Sequence, residues 1–233
     1  DDAPVRIAVC LHKQGDALTI DFTGSSAQTR GPVNASPSSM MSAILFFMRS
    51  LAPQAPNNAG CLAPATWVLP EGSVVNPRLP AAVNARTATL KLACNAMLSA
   101  WSLGAAREPL ASNAGVATVL SLGGTRANGQ RWLMTEIIAS GAGASASADG
   151  TSGISTDVGN ARNTPVEVSE AEAPLRVDTY AIRQGSGGAG RFNGGHGVRR
   201  VYLLLEGQGS VSYRGERHVS RARGSEGGGD GAP

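Results

Sequence analysis

The chain is poor in aromatic side chains, in lysine and in charge, and each shortage excludes a class of function. Aromatic residues make up 4% of the 233 residues, and charged residues make up 16%. Proteins that bind single-stranded nucleic acid stack its bases on aromatic rings, so this composition argues against that role. Lys13 and Lys91 are the only lysines, and the net charge of +3 comes from scattered arginines rather than a basic stripe. We therefore predict neither nucleic-acid binding nor attraction to a membrane.

Cysteines and long apolar runs are also scarce. Cys10, Cys61 and Cys94 lie far apart among apolar neighbours, which favours buried free thiols in a reducing compartment over a disulfide framework or a zinc site. The longest apolar run, residues 43–48, is far too short to cross a bilayer, and no signal peptide precedes Asp1. These features predict a cytoplasmic protein without a membrane span.

Glycine, by contrast, is abundant and concentrated. The chain holds 30 glycines, and seven of the thirteen residues 185–197 are glycine. Both flanks of this stretch alternate like strands, so it reads as a loop, and such a loop is entropically costly unless packing, a partner or a ligand orders it. It is either a tight structural connection or an interface or substrate-site loop. The substrate or interface candidates in it are Gly187, Gly188, Gly190 and His196.

The same loop contains a G-x-G-x-x-G pattern at residues 185–190. A dinucleotide fingerprint must open a helix, whereas the glycines of residues 193–197 would break one. A phosphate loop needs Lys followed by Ser or Thr, but Arg191 and Phe192 stand there. We therefore do not expect this loop to bind a nucleotide.

The apolar pattern predicts a mixed α/β fold that is β-rich, with hairpins packed on two buried helices and long glycine-rich loops. A helix is predicted over 38–51, with Ser36 as its N-cap and Pro37 at the first helical position, and it is apolar on nearly every side. A second helix over 87–103 has an apolar stripe, with Lys91 and Asn95 on its wetter face, and ends at Gly104. Strands are predicted at 5–11, 18–22, 66–69, 116–122, 132–139, 175–182, 198–205 and 211–214.

Residues 140–153 contain only Gly, Ala, Ser, Thr and one Asp. This composition suits either a flexible linker or a tightly packed backbone segment that tolerates no large side chains. Further on, Glu167 and Glu170 would be juxtaposed only in a helix, and Pro165 and Pro174 make a long helix improbable there. Caps, turns and solvated charges are therefore favoured over a pair of catalytic carboxylates.

Motifs for self-contained catalysis are missing from the sequence. His12, His196 and His218 have no spacing that would hold a metal, so we assign no metal ligands. There is no G-x-S-x-G elbow, and we expect no cysteine nucleophile beside a histidine. If the protein is an enzyme, this chain supplies part of a site.

Several short sequence motifs, taken in their order along the chain, resemble the hydantoinase B family. This family comprises the B component of ATP-dependent hydantoinases and 5-oxoprolinases and the related subunit of ketone carboxylases. Each motif alone is weak evidence, but the motifs occur in the same order as in that family over nearly the whole chain, and this order is specific. The motifs are residues 18–25 (LTIDFTGS), 31–34 (GPVN), 58–61 (NAGC), 69–77 (LPEGSVVNP) with 80–82 (PAA), 113–115 (NAG), 149–150 (DG), 160 with 164–170 (TPVEVSE), and 186–200 (SGGAGRFNGGHGVRR).

The resemblance implies that 1–233 is the C-terminal portion of a longer hydantoinase B/oxoprolinase domain, with possible sub-units 1–110 and 111–233 and with an upstream region and a short tail absent. It implies an A-type partner that binds ATP with Mg²⁺, a hetero-oligomer, and a divalent metal, where one is present, outside this segment. Relatives often carry Arg and an apolar residue at the positions of Asn193 and His196, which leaves the substrate open.

By resemblance, ATP would phosphorylate the oxygen of a cyclic amide, such as a hydantoin, 5-oxoproline or another lactam, before water attacks the carbon. Such chemistry needs a dry site with main-chain donors near the developing anionic oxygen, which the glycine loop with Arg191 beside it would provide. Asn160 and Glu167 are further candidate site residues. The alternatives are a subunit of an ATP-dependent ketone carboxylase of the acetone or acetophenone type, and a non-catalytic structural subunit or inactive fragment.

Overall fold

The computed structural model describes residues 4–106, 109–115 and 118–233. The chain divides into two compact units, Asp1–Leu110 and Ala111–Pro233. Its α-helices and strands are β1 (Cys10–Gln14), β2 (Ala17–Asp21), α1 (Pro37–Leu51), β3 (Ala65–Val68), α2 (Arg86–Trp101), β4 (Thr118–Thr125), β5 (Arg131–Ile138), α3 (Val166–Glu172), β6 (Leu175–Ile182), β7 (Val198–Leu204) and β8 (Gln208–Arg214).

The first unit contains a sheet of order β1-β2-β3, in which β2 pairs antiparallel with β1 and parallel with β3. The alternation that predicted the hairpin is confirmed, with Ile20 fully buried. The first strand begins at Cys10, five residues later than predicted. The residues before it bond to the next loop instead, where Arg6 N donates to Ser26 Oγ at 2.9 Å and Ala8 N donates to Ser25 Oγ at 3.1 Å.

Helix α1 begins as the sequence predicts. Ser36 is the N-cap, its Oγ accepts a hydrogen bond from Ser39 N at 3.4 Å, and Pro37 opens the first turn. The expectation of burial on nearly every side is wrong, because Met41 is exposed and the buried positions form one face. Phe47 on that face meets Trp101 of α2 edge-on, with ring centroids 6.2 Å apart. The buried residues of α1 are Met40, Ala43, Ile44 and Phe47.

Helix α2 departs from its prediction in two ways. Lys91 and Asn95 are buried, at 1% and 5% exposure, not on a wet face. The reason is tertiary, since α2 packs against both α1 and β1 and therefore has little free face. The helical path also does not end at Gly104, because a π-helical turn, Ser102–Ala106, continues it.

The cysteines are less buried than predicted. All three are free thiols, but only Cys94 is buried, whereas Cys61 is half-buried and Cys10 is exposed. Cys10 is exposed because it lies on the face of β1 opposite to that of Leu11, whose cross-strand partner Ile20 is buried. No helix within the described ranges is both long and apolar enough to cross a membrane.

The second unit contains a sheet of order β5-β4-β8 and a separate hairpin of β6 and β7. Strand β6 has the predicted bounds, and β4, β5, β7 and β8 lie within a few residues of theirs; the predicted residues 116–117 fall outside the described residues. The predicted mixed α/β, β-rich fold is confirmed. Its core in this unit consists of Leu122, Trp132, Met134, Ala173 and Leu175.

Candidate functional site

The glycine loop, residues 183–197, connects β6 to β7 and is held by hydrogen bonds to two other irregular segments. It bonds to the small-residue segment 140–154, since Gly195 N donates to Ala142 O and Gly150 N donates to Asn193 O, both at 2.8 Å. It also bonds to the C-terminal segment, which is the irregular chain after β8, where Gly229 N donates to Ala189 O at 2.7 Å. The three segments form a hydrogen-bonded layer of irregular backbone, which we call the glycine layer.

Close backbone packing explains why this layer is built of glycine. A Cβ on Gly195 would lie within 3.0 Å of the carbonyl oxygen of Thr151, closer than real Cβ atoms essentially ever come to another atom. Gly187 and Gly188 face the same restriction from the backbones of Gly194 and Gly229. Within residues 140–153, a Cβ on Gly141 or Gly150 would likewise lie within 3.0 Å of the carbonyl oxygens of Gly195 and Ala142, so this segment is tightly packed and is not a flexible linker.

The main-chain donors of the loop are largely used within the protein. Gly187 N donates to His196 Nδ1 at 3.0 Å, Gly190 N to Asn193 Oδ1 at 3.3 Å, and Gly197 N to Ser186 Oγ at 2.9 Å. To stabilise a substrate oxyanion, each of these amides would have to give up or share its existing hydrogen bond, so the main-chain donors of the loop remain a prediction.

The loop also does not fit a nucleotide. It leads into strand β7 rather than a helix, and Arg191 and Phe192 follow its glycines. The described residues of this loop therefore offer no phosphate cradle.

A buried ion pair lies in the same unit as the glycine layer and joins the inward face of β5 to β7. Glu136 Oε2 lies 2.6 Å from Arg200 Nη1, and each side chain is 1% exposed. The other carboxylate oxygen of Glu136 accepts a hydrogen bond from Thr164 N at 3.0 Å. Arg200 Nη2 contacts Thr164 O at 3.5 Å. The pair thus fixes the backbone just before α3 to two strands.

Two tyrosines complete the surroundings of Arg200. Its guanidinium lies over the ring of Tyr180, 4.3 Å from the centroid, and 5.8 Å from that of Tyr202. Tyr202 Oη donates to Glu136 Oε2 at 3.4 Å. Burial raises the pKa of Tyr202 to about 12, Arg200 opposes that shift and Glu136 reinforces it. Tyr202 therefore stays a neutral phenol and a donor at physiological pH.

Sequence reasoning missed this pair, although a signal was present. Trp132, Met134 and Glu136 are two residues apart along β5. They therefore share the face of the strand that points to the core. A carboxylate at such a position needs a buried partner. The sequence alone does not say that Arg200, on another strand, is that partner.

An open cavity of about 250 Å³ lies at the end of β5. Its lining combines the apolar side chains of Ile137 and Ala139 with the polar side chains of Ser155, Arg162 and Asn163. Asn163 also connects the cavity to the ion pair, because its Nδ2 donates to the hydroxyl of Tyr180. The arrangement suits a small polar molecule with an apolar body.

Comparison with known proteins identifies the family. The family model described as hydantoinase B/oxoprolinase matches residues 1–233. The chain belongs to this family. The hydantoinase B/oxoprolinase chain is 31% identical to 5-oxoprolinase of Dictyostelium discoideum over 230 residues, which cover 98% of this chain and 17% of that protein. It is 29% identical to a putative B-type subunit of D-/L-hydantoinase from Pseudomonas sp. (strain NS671), over 92% of this chain and 38% of that protein.

Solved structures agree with this membership at the level of the fold. The nucleotide-free structure of acetone carboxylase has a TM-score of 0.80 at 24% identity, covering 94% of this chain and 32% of that chain. The ATP-dependent caprolactamase from Pseudomonas jessenii has a TM-score of 0.73 at 24% identity, covering 85% and 35%. The hydantoinase B/oxoprolinase chain therefore spans well under half the length of these similar proteins.

Within the hydantoinase B/oxoprolinase chain, the candidate residues of the glycine loop divide into two kinds. Gly187 and His196 bond within the layer, because the imidazole Nδ1 accepts the Gly187 amide, and His196 N donates to Ser152 Oγ at 2.9 Å. Gly188 and Gly190 are also held in the layer by close backbone contacts. Arg191 is exposed, with its guanidinium 5.5 Å from the ring centroid of Phe192, and is accessible to a partner.

The other candidates lie around α3. Asn160 and Glu167 are exposed. The segment is helical over seven residues, Val166–Glu172, and Glu170 Oε1 accepts a hydrogen bond from Val177 N at 2.8 Å. Within residues 4–106, 109–115 and 118–233, no hydrogen bond or ion pair joins Asn160, Glu167 and Arg191, and no three His, Cys, Asp or Glu side chains converge as metal ligands.

Proposed function

We propose that this chain is part of a B-type subunit of an ATP-dependent amidohydrolase that opens a cyclic amide. The observation that carries the proposal is the family match over the whole chain, together with relatives named as a 5-oxoprolinase and as a hydantoinase subunit. The caprolactamase, which shares the fold, is named for an ATP-dependent reaction on a lactam. Hydantoin, 5-oxoproline and other lactams are the substrate class.

An A-type subunit would bind ATP with Mg²⁺ in this proposal. The glycine loop of this chain does not fit a nucleotide, because it opens no helix and several of its amides are already bonded. A divalent metal of the reaction would be held by residues outside this segment. We therefore assign no phosphoryl-transfer step to residues of this chain.

The contribution of this chain is to position groups at a site completed by the partner. The glycine layer fixes a loop on which Arg191 is exposed, and the buried pair of Glu136 and Arg200 fixes the segment that leads to α3. We propose that Arg191, Asn160 and Glu167 contact the substrate or the partner. The cavity beside Asn163 is a place in this unit where a small ring would fit.

The proposal is tested by measuring ATP turnover of the purified protein with its A-type partner. We expect turnover to depend on a cyclic amide, with the ring-opened product identified by mass spectrometry. Turnover that requires bicarbonate and a ketone would instead assign a carboxylase, the activity named for the acetone carboxylase that shares the fold. Absence of both activities, with the partner bound, would assign a structural role.

The role of Arg191 is tested by Arg191→Ala, with Arg199→Ala as a matched control. Both arginines are exposed and lie close together in the chain, but Arg199 is within strand β7 rather than in the loop. We expect Arg191→Ala to lower turnover or partner affinity by about tenfold, the loss of one charged contact of about 1.4 kcal/mol. If both properties stay at the level of the control, Arg191 is not a site or interface residue.

A further inference from the structure

A thiol and an imidazole meet on the outer face of the first hairpin, within the unit Asp1–Leu110. Cys10 Sγ lies 3.4 Å from His12 Nε2, within hydrogen-bonding distance for sulfur. Residues two apart in a strand share a face, so strand β1 itself creates the pair. The expectation that no cysteine stands beside a histidine is therefore wrong, because it overlooked this spacing of two.

The cross-strand neighbours add an acidic group to this face. Cys10 is directly opposite Asp21, and His12 is opposite Thr19. The pKa of Asp21 is lowered, chiefly by hydrogen bonds from Thr23 and to a smaller extent by His12. Asp21 is thus an ionised carboxylate on the same face of the hairpin as Cys10 and His12.

The opposite face of the same hairpin is the core face. Leu11 pairs with Ile20, and Ile20 is fully buried. Helix α2 packs against β1, whereas Cys10 and His12 are exposed. A reagent can therefore reach the thiol without any opening of the core.

The other two cysteines have different surroundings. The Cys61 thiol is half-buried and donates a hydrogen bond to the carbonyl oxygen of Pro56 at 2.7 Å. Cys94 is buried in α2, with its sulfur 3.8 Å from Ala43 O. The three thiols thus provide an internal comparison of reactivity within one chain.

We propose that Cys10 is a site of reversible S-thiolation by low-molecular-weight disulfides, with His12 as the base. His12 Nε2 takes the thiol proton, and the Cys10 sulfur attacks one sulfur of the disulfide. A new S–S bond forms as the old one breaks, so Cys10 is oxidised and the other half of the reagent is reduced. The departing thiolate takes the proton from the imidazolium, and a free thiol reverses the reaction by the same path.

The test treats the purified protein with glutathione disulfide at neutral pH and follows each cysteine by peptide mass spectrometry. We expect Cys10 to react about tenfold faster than Cys61 and faster still than Cys94, since an ordinary free thiol is only a few per cent ionised at this pH. His12→Gln is expected to slow Cys10 by about tenfold. His218→Gln is the matched control, because His218 is also exposed but bonds to Tyr213 Oη, and it should leave the rate unchanged.

Two results would overturn the proposal. One is a Cys10 rate that is the same in His12→Gln and in the parent protein. The other is a rate difference between these proteins that persists in denaturant, because the effect would then not require the strand geometry. Far-UV circular dichroism checks that His12→Gln retains the fold, and a reducing wash that restores the free Cys10 peptide verifies reversibility.

Discussion

A single carboxylate, Glu136, shows how much one buried charge demands of its surroundings. Removing a carboxylate and a guanidinium from water costs several kcal/mol each, and attraction between them offsets this only when the geometry is good and the remaining polar atoms are bonded. Glu136 meets that condition through Arg200, Thr164 and Tyr202. Arg200 meets it less completely, because among the described residues its Nε and Nη1 have no hydrogen bond of good geometry, although Nη1 is ion-paired with Glu136. The ion pair therefore serves to hold the segment before α3 against β5 and β7 rather than to add stability.

Replacement of one partner should be costly. Glu136→Gln keeps the size and an acceptor for Thr164 N but leaves the charge of Arg200 buried and uncompensated. We expect the free energy of unfolding to fall by about 3–5 kcal/mol, measured by urea denaturation.

Two further variants separate the charge from the shape. Glu71→Gln breaks the exposed pair with Arg78, whose side chains are 70% and 68% exposed, and should change stability by less than about 1 kcal/mol. The double variant Glu136→Met with Arg200→Met should recover most of the lost stability, because no unpaired charge remains. A double variant as unstable as Glu136→Gln would contradict the role given to charge.

Among the elements of the fold, the glycine layer is stabilised differently from a helix or a sheet. Its segments exchange single hydrogen bonds between irregular backbones, such as Gly153 N to His196 O at 2.9 Å and Ala142 N to Thr151 O at 2.9 Å. Glycine loses more entropy on ordering than other residues, and this cost is offset by contacts that a side chain would prevent. The layer therefore tolerates a methyl group at some glycines and not at others.

Gly195→Ala and Gly197→Ala test this within one loop. A methyl group at Gly195 would meet the backbone of Thr151, whereas at Gly197 the nearest atom is Ser186 Oγ at 3.8 Å, an ordinary contact. We expect Gly195→Ala to lower the free energy of unfolding by at least about 2 kcal/mol and Gly197→Ala to change it by less than about 1 kcal/mol. Equal effects in urea denaturation would show that backbone contact does not select glycine in this layer.

For the molecule as a whole, the two compact units have separate sets of core residues. In Asp1–Leu110 the core includes Ile20, Phe47 and Met97, and in Ala111–Pro233 it includes Trp132 and Leu175. We propose that these units, which the resemblance suggested as 1–110 and 111–233, open as separate cooperative bodies.

Phe47→Ala tests that proposal, since it removes a buried ring from the first unit alone. Deletion of such a ring costs about 3–5 kcal/mol. We expect native-state hydrogen exchange to show lower protection for amides of the core helices α1 and α2, and unchanged protection for β4 to β7. A comparable loss of protection in both units would show that they unfold as one body.

The sequence by itself determined what depends on neighbours along the chain. Ser36 and Pro37 specify the start of α1, alternation specifies β6 with its bounds, and the glycine density marks the loop, because caps, strand faces and backbone freedom are local properties. The order of the short sequence motifs indicated the family, and the family model agrees.

Only the tertiary structure decided what depends on contacts between distant segments. Lys91 is buried because α2 has neighbours on two sides, and Glu136 finds Arg200 because two strands meet. The amide of Gly195 is occupied because the segment 140–154 lies against the loop, where Ala142 O accepts its hydrogen bond. Packing and electrostatics act through space, so residues far apart in the chain select one another only once the backbone has brought them together.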